Sequence, residues 1–302
     1  MAFSRIATTK RWARIVAVVV ALLVALGFVA IWIAGGRIAA PAQREVGPPP
    51  AGFVERTTVF TSGTAPSMAG WWFHADEPRA TVLLLHALRG DRRAMVGRAQ
   101  LLVDAGYDAV VIDLQAHGER HGGAITFGAK ERDDVIEAVQ LIRRTAPGRP
   151  IAIIGWSLGG AAAVLAGSLG VDAMVLESVY PTIDRAIANR LSMRAGSLGA
   201  AAAPLFTLQL PLRLGMSAAE LRPIDKIGEI GCPLLVLSGE ADPRTTAKET
   251  RSLFAEAAEP KRLELFPDAG HVDLLESDPM LWKAAVLSFL EEFLTHEGHS
   301  NL

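Results

Sequence analysis

Hydrophobic positions along the chain fall into three kinds of pattern. The first is a single unbroken run, Ile15 to Ala34, apolar on every helical face and free of charge. The second is a series of short apolar runs: TVLLLH (81–86), AVVID (109–113), IAIIG (151–155), AMVLE (173–177), LLVLS (234–238) and the stretch Arg262–Phe266. Runs this short, bounded by turn residues, predict strands covered on both faces. The third has helical spacing. Val135, Val139 and Ile142 share one face of a helix predicted over Lys130–Thr145. Further helices are predicted over Asp91–Ala105, Leu158–Leu169, Thr245–Ala258 and Pro279–Thr295. Thr57–Thr61 and Met68–His74 predict a leading antiparallel pair that turns near Gly63 and Pro66. Strands alternating with helices predict a doubly wound, mostly parallel α/β sheet, whose ligands sit beyond the carboxyl ends of its strands.

The first run needs a separate account. Its 20 residues, IVAVVVALLVALGFVAIWIA, form a helix about 30 Å long at about 1.5 Å per residue, the thickness of a hydrocarbon core. Arg5, Lys10, Arg11 and Arg14 precede it, whereas Arg37 and Arg44 follow. That bias predicts a single-pass anchor with a cytoplasmic N-terminus and the rest of the chain on the extracytoplasmic side. The competing reading is a cleaved signal peptide, with Ala39, Ala40 and Ala42 near a cleavage site. The length of the run favours the anchor, because signal cores span about 7–15 apolar residues. The expected organisation is a basic tail (1–14), an anchor (15–35), a Pro/Gly-rich tether (36–52) holding the next domain off the bilayer, and one α/β domain (53–302).

Composition narrows the function. With 30 Lys and Arg against 32 Asp and Glu in 302 residues, there is no electrostatic case for nucleic acid as a partner. The one cysteine, Cys232, excludes an internal disulfide and any multi-cysteine metal site. No dinucleotide fingerprint or P-loop occurs, so no cofactor is expected. His117 and His121 have an i,i+4 spacing but lie on a Gly-rich stretch without a helical pattern, so no metal pair is expected either.

Ser157 carries the candidate chemistry. It stands in Gly155-Trp156-Ser157-Leu158-Gly159-Gly160, between a predicted strand and a predicted helix. Glycines at 155 and 159 permit the tight turn that lifts the hydroxyl above the strand end. The helix N-terminus beneath offers free N–H groups, and the Leu158 N–H is placed to face an oxyanion. A serine needs a general base, and the base needs an orienting group. His271, in Asp268-Ala-Gly-His271-Val-Asp273, and Asp242, in Gly239-Glu-Ala-Asp242-Pro243, each follow a predicted strand. The chain order Ser, Asp, His is the one this kind of fold uses. Glu177 also ends a predicted strand and competes with Asp242 for the orienting role.

The sequence resembles the α/β-hydrolase superfamily from about Met68 to Leu294. The resemblance rests on LLLHALRG (83–90), VVIDLQAHGE (110–119), GWSLGG (155–160), LRPIDKIGEIGCPLLVLSGEAD (221–242) and DAGHVDL (268–274). It is most similar to the branch holding prolyl-oligopeptidase-like and monoacylglycerol-lipase-like proteins. The resemblance implies Ser157 as nucleophile, Asp242 as acid and His271 as base. It also implies an oxyanion hole built from the Leu158 and Leu88 amides. One departure stands out: the family commonly has His-Gly at the oxyanion loop, where this chain has His86-Ala87.

Over fifty residues separate the strand ending at Glu177 from the one starting near Leu234, including the apolar stretch 199–214. This insertion, about 181–225, either caps Ser157, favouring a lipid-like acyl substrate, or packs on the sheet. The expected activity is that of a serine hydrolase acting on a small-molecule carboxylic ester or thioester through an acyl-enzyme. The alternatives are a peptidase and a non-catalytic, membrane-tethered interaction module.

Overall fold

The computed structural model describes residues 2–61 and 68–294. The expected turn at Gly63 and Pro66, and Thr295 at the end of the last helix, lie outside them. Helix α1 (Ala2–Ala39) is followed by a two-residue strand β1 (Ala42–Gln43). Strands β2 (Thr57–Thr61) and β3 (Ala69–Phe73) pair antiparallel, as the pattern predicts. The chain then runs β4 (Thr81–Leu85), α2 (Val96–Asp104), β5 (Asp108–Ile112), β6 (His117–Gly118), α3 (Glu131–Thr145), β7 (Ile151–Trp156), α4 (Leu158–Leu165) and β8 (Ala173–Glu177). Three helices follow: α5 (Ile183–Ala201), α6 (Ala203–Thr207) and α7 (Gln209–Leu214). The closing elements are β9 (Leu234–Gly239), α8 (Ala247–Glu256), β10 (Lys261–Phe266), α9 (Leu274–Ser277) and α10 (Pro279–Leu294).

Eight strands form the main sheet in the order β10-β9-β8-β7-β4-β5-β3-β2. Every pair from β10 to β5 is parallel, and β3 joins β5 antiparallel. The apolar runs explain this arrangement. Successive side chains of a strand point to opposite faces. In β4, Leu83 and Leu85 enter a core shared with Val135 and Val139 of α3 and Ala161 to Val164 of α4. Val82 and Leu84 enter the opposite core, with Leu102 of α2 and Trp282, Val286 and Phe289 of α10. Each central strand is therefore covered twice, and its carboxyl end is left as the place where polar loops emerge.

Two features depart from the sequence expectations. Helix α1 continues past Ala34 to Ala39, and the segment expected as a tether is docked on the α/β domain. Ala42 and Gln43 pair with His117 and Gly118 of β6. Val46 is buried, and the Val46 and Gly47 amides donate to Glu119 at 2.9 and 3.1 Å. The domain therefore begins about ten residues before Phe53. The pattern hid this because a two-residue strand has no periodicity to read. The insertion between β8 and β9 does both things weighed for it. Ile183, Ala186 and Leu210 pack into the core, while α5 to α7 also wall a cavity beside Ser157.

Candidate active site

Ser157 sits where β7 turns into α4, with φ 51° and ψ −104°. A non-glycine residue with positive φ is uncommon, and such strain persists only where the surroundings impose it. Here β7 and α4 are pressed together. A Cβ at Gly159 would meet the Leu85 carbonyl oxygen at 2.5 Å, and one at Gly155 would meet the Gly160 Cα at 2.5 Å. Only glycine allows the helix to start that close to the strands, which is why the hydroxyl is held above the sheet edge.

Backbone hydrogen bonds stitch the neighbouring strand ends into one rim. The Ser157 amide donates to the Glu177 carbonyl at 2.7 Å, and the Ser178 amide to Leu237 at 2.8 Å. Farther along, the Glu240 amide donates to Phe266 at 2.9 Å and the Ala241 amide to Ala269 at 3.0 Å. The loops carrying Ser157, Asp242 and His271 thus emerge side by side from β7, β9 and β10. His271 Nδ1 lies 2.7 Å from Asp242 Oδ2. A carboxylate can only accept, so Nδ1 carries the proton, and in the neutral ring Nε2 is the nitrogen that holds the lone pair. The other oxygen, Asp242 Oδ1, accepts from the Arg244 and Thr245 amides at 2.7 and 3.0 Å. Asp242 is buried, and these bonds fix its orientation.

Glu177, the competing carboxylate, is engaged elsewhere. Its two oxygens accept from Arg98 Nε at 3.0 Å and Nη2 at 2.6 Å, and Oε1 also accepts from Trp282 Nε1 at 3.0 Å. Arg98 reaches Asp273 Oδ2 at 2.7 Å as well. Burial works to lower the Arg98 pKa, but the charges and hydrogen bonds of Glu177 and Asp273 outweigh it and push it above the ordinary arginine range. This buried network braces α2 and α10 under the rim, and nothing in the sequence pattern announced it.

The loop after β4 carries the second candidate amide. Ala87 is not among the described residues with positive φ; Arg89, two residues on, takes that conformation at 62°. The Cβ at position 87 therefore costs no backbone strain. His86 holds the loop from beneath: Nδ1 bonds the Ala87 carbonyl at 2.8 Å, and Nε2 accepts from the Leu114 amide at 3.1 Å. That pair of bonds requires the neutral ring, and burial lowers its pKa to about 4. Asp113 likewise fixes a loop, accepting from the Arg92 and Glu119 amides at 2.8 and 2.9 Å and pairing with the Arg92 guanidinium. Among the described residues, neither the Leu88 nor the Leu158 amide donates to a protein acceptor. Both residues line a cavity of about 910 Å³ together with Ser157. Its walls come from the last turns of α1, from the loop after β4 and from α5 to α7. The participation of α1 was not foreseen, because a membrane-length run gives no sequence signal of docking.

An eight-stranded sheet of this order, with a strained serine at the β7–α4 elbow and a His–carboxylate pair on the same rim, defines the α/β-hydrolase class. The sequence pattern of the Alpha/beta hydrolase family matches residues 59–285, and the chain belongs to that family. Among its relatives is YqkD of Bacillus subtilis, 24% identical over 244 residues, 79% of this chain and 80% of that protein. MT2364 of Mycobacterium tuberculosis is 29% identical over 293 residues, 94% of this chain and 97% of that protein. Both are described as uncharacterized. Among solved structures, the Pyrococcus furiosus esterase Pf2001 superimposes with a TM-score of 0.71 at 23% identity, covering 85% of this chain and 98% of its own. A Pyrococcus horikoshii acylaminoacyl peptidase does so with a TM-score of 0.60 at 16% identity, covering 79% of this chain and 42% of its own. At these identities the structural likeness shows a shared fold.

Proposed function

We propose that this protein is a membrane-anchored serine hydrolase that cleaves a carboxylic ester through an acyl-enzyme. The observation that carries the reading is the His271–Asp242 bond of 2.7 Å on the rim where Ser157 is held at φ 51°. In the reaction, the Ser157 hydroxyl attacks the ester carbonyl and its proton passes to His271 Nε2. Asp242 holds the ring and stabilises the imidazolium. The oxyanion is met by the Leu158 and Leu88 amides. The proton then goes to the departing alcohol, and water repeats the sequence to release the acid and free serine. An ester fits better than a peptide, because the apolar walls of the cavity suit an acyl chain and an alkoxide leaves without the N-protonation an amine requires.

The membrane reading rests on α1. Within it, Arg14–Ala39 has a mean hydropathy of 3.0 over its most apolar window, and large side chains from Ile15 to Ile33 are exposed along its length. A bare apolar surface of this extent belongs in lipid. The basic N-terminal flank supports a cytoplasmic N-terminus and an extracytoplasmic hydrolase domain. Docking of the last turns of α1 on the cavity favours a retained anchor over a cleaved signal sequence, since cleavage there would open the cavity. The test of the activity is a series of p-nitrophenyl esters of graded acyl length beside a panel of short peptides. Turnover of esters with an optimum in acyl length is expected; turnover of peptides alone would replace the reading with a peptidase.

A further inference from the structure

The cavity beside Ser157 has a lining that its size alone does not explain. Six arginines reach it: Arg37, Arg89, Arg190, Arg194, Arg213 and Arg244. Among the described residues no Asp or Glu lines it, in a chain whose acids outnumber its Lys and Arg by 32 to 30. Two of the six have structural work. Arg213 stacks on Trp32 with its guanidinium carbon 4.1 Å from the ring centroid and donates to the Trp32 carbonyl at 2.6 Å, clamping α7 to α1. Arg89 donates to the Arg37 and Ala40 carbonyls at 3.4 and 3.2 Å. The others form no ion pair among the described residues, although the charge of Asp242 is felt at Arg190. Arg190 and Arg194 lie one turn apart on α5, a spacing at which like charges repel. Arg190 is half-buried and donates to the Ala186 carbonyl of its own helix at 3.0 Å. Its pKa is lowered first by burial and then by the nearby charge of Arg244. Arginines gathered in this way raise the energy of the empty site and lower it when an anion arrives. Arginine is also the side chain whose planar fork matches phosphate and carboxylate oxygens.

The remaining lining is apolar and joins the membrane helix. Ala30, Ile33 and Ile38 of α1 line the cavity together with Phe206, Leu210 and Leu214 of the cap. The contact is close: a Cβ at Gly35 would meet the end of the Gln209 side chain at 2.3 Å, so a larger residue there would push that side chain aside. Gln209 Nε2 also donates to the Ile31 carbonyl at 3.3 Å. The cap that seats α1 in this way carries exposed Leu208 and Leu212. One compartment thus combines an apolar wall made by the end of a bilayer-length helix, the candidate nucleophile, and a group of arginines without an ion pair among the described residues.

We propose that the substrate is an anionic acyl ester, an amphiphile whose acyl chain lies against the apolar wall that α1, α6 and α7 form together and whose phosphate or carboxylate is held by Arg190, Arg194 and Arg244, entering from the bilayer along α1. This rests on the hydrolase reading and names its substrate class. Binding tests it separately from catalysis. In the full-length Ser157→Ala protein in uncharged detergent, dodecyl phosphate, 1-O-dodecylglycerol and inorganic phosphate are titrated. Dodecyl phosphate should bind at least about tenfold more tightly than the neutral ether, as two charge-assisted hydrogen bonds would give, and inorganic phosphate far more weakly than either. Arg190→Gln with Arg194→Gln should remove most of the preference for charge, leaving what Arg244 supplies, whereas Arg190→Lys with Arg194→Lys should keep more of it. Equal affinity for the charged and neutral amphiphiles, or a preference untouched by the Gln pair, overturns the proposal. Inorganic phosphate binding as well as dodecyl phosphate overturns the amphiphile. Failure of the hydrolase reading shows elsewhere, as the absence of neutral-ester turnover by the wild-type protein.

Discussion

Replacing Glu177 by Gln and Asp242 by Asn separates the two rim carboxylates by opposite effects. Glu177 and Arg98 are fully buried and share two hydrogen bonds, at 3.0 and 2.6 Å. Neutralising one partner of such a pair leaves a buried charge uncompensated, which costs about 3–5 kcal/mol. Gln keeps a carbonyl oxygen for Trp282 Nε1, and Asp273 still meets Arg98 at 2.7 Å, so the lower end applies. A loss of about 3 kcal/mol in a domain of this size lowers Tm by about 6–12 °C. The chemistry should survive, because Glu177 faces Arg98 and Trp282 and makes no bond to His271. Asp242→Asn keeps the shape of the loop but not the charge, and it exchanges an acceptor for a group that favours the wrong imidazole tautomer. Its cost should be on the order of 10⁴ in kcat, with a small change in Tm. Differential scanning fluorimetry and p-nitrophenyl ester kinetics on the two purified variants give both readouts. A Glu177→Gln protein that melts like wild type and has lost orders of magnitude in kcat would transfer the orienting role to Glu177 and refute the assignment.

Two further outcomes follow from the packing. A chain starting at Pro41 should melt about 5–10 °C above one starting at Phe53, because the shorter chain loses buried Val46 and the amide bonds to Glu119; coincident melting curves would show that the docked segment adds nothing. Burial lowers His86 and His117 from 6.5 to about 4, with ring centroids 5.1 Å apart. The unfolded chain therefore binds more protons between about pH 4 and 6.5, and stability falls as pH drops through that window. His117→Asn should flatten the slope of Tm against pH there, and a slope equal to wild type would remove His117 as a cause.

The strand framework was legible because buried parallel strands write themselves as short apolar runs, and TVLLL, IAIIG and LLVLS fall within a residue or so of β4, β7 and β9. The elbow was legible for a different reason: Gly155 is forced by contact with Gly160, a constraint local in sequence, and it stands beside Gly159, which answers to Leu85 of β4, in one short motif. What the pattern concealed depends on distant pairs. Arg98 and Glu177 are 79 residues apart, and the bond between Arg213 and Trp32 spans 181. Neither partner has a periodicity that points to the other. The end of α1 has the same difficulty, since a uniformly apolar helix reads alike whether its last turns meet lipid, water or protein. The short pairing of Ala42 and Gln43 with β6 likewise lies below the length at which alternation can be seen.

If the proposed mechanism holds, Ser157, activated by His271, forms a covalent acyl-enzyme. Labelling of the full-length protein with a fluorophosphonate probe, followed by peptide mass mapping, addresses it directly. The expected result is a single adduct on Ser157, absent from a Ser157→Ala variant with an unchanged melting curve, and in that variant loss of ester turnover to the residual rate left by binding and the oxyanion amides. An adduct on another residue, or a Ser157→Ala protein that turns over ester at the wild-type rate, would contradict it.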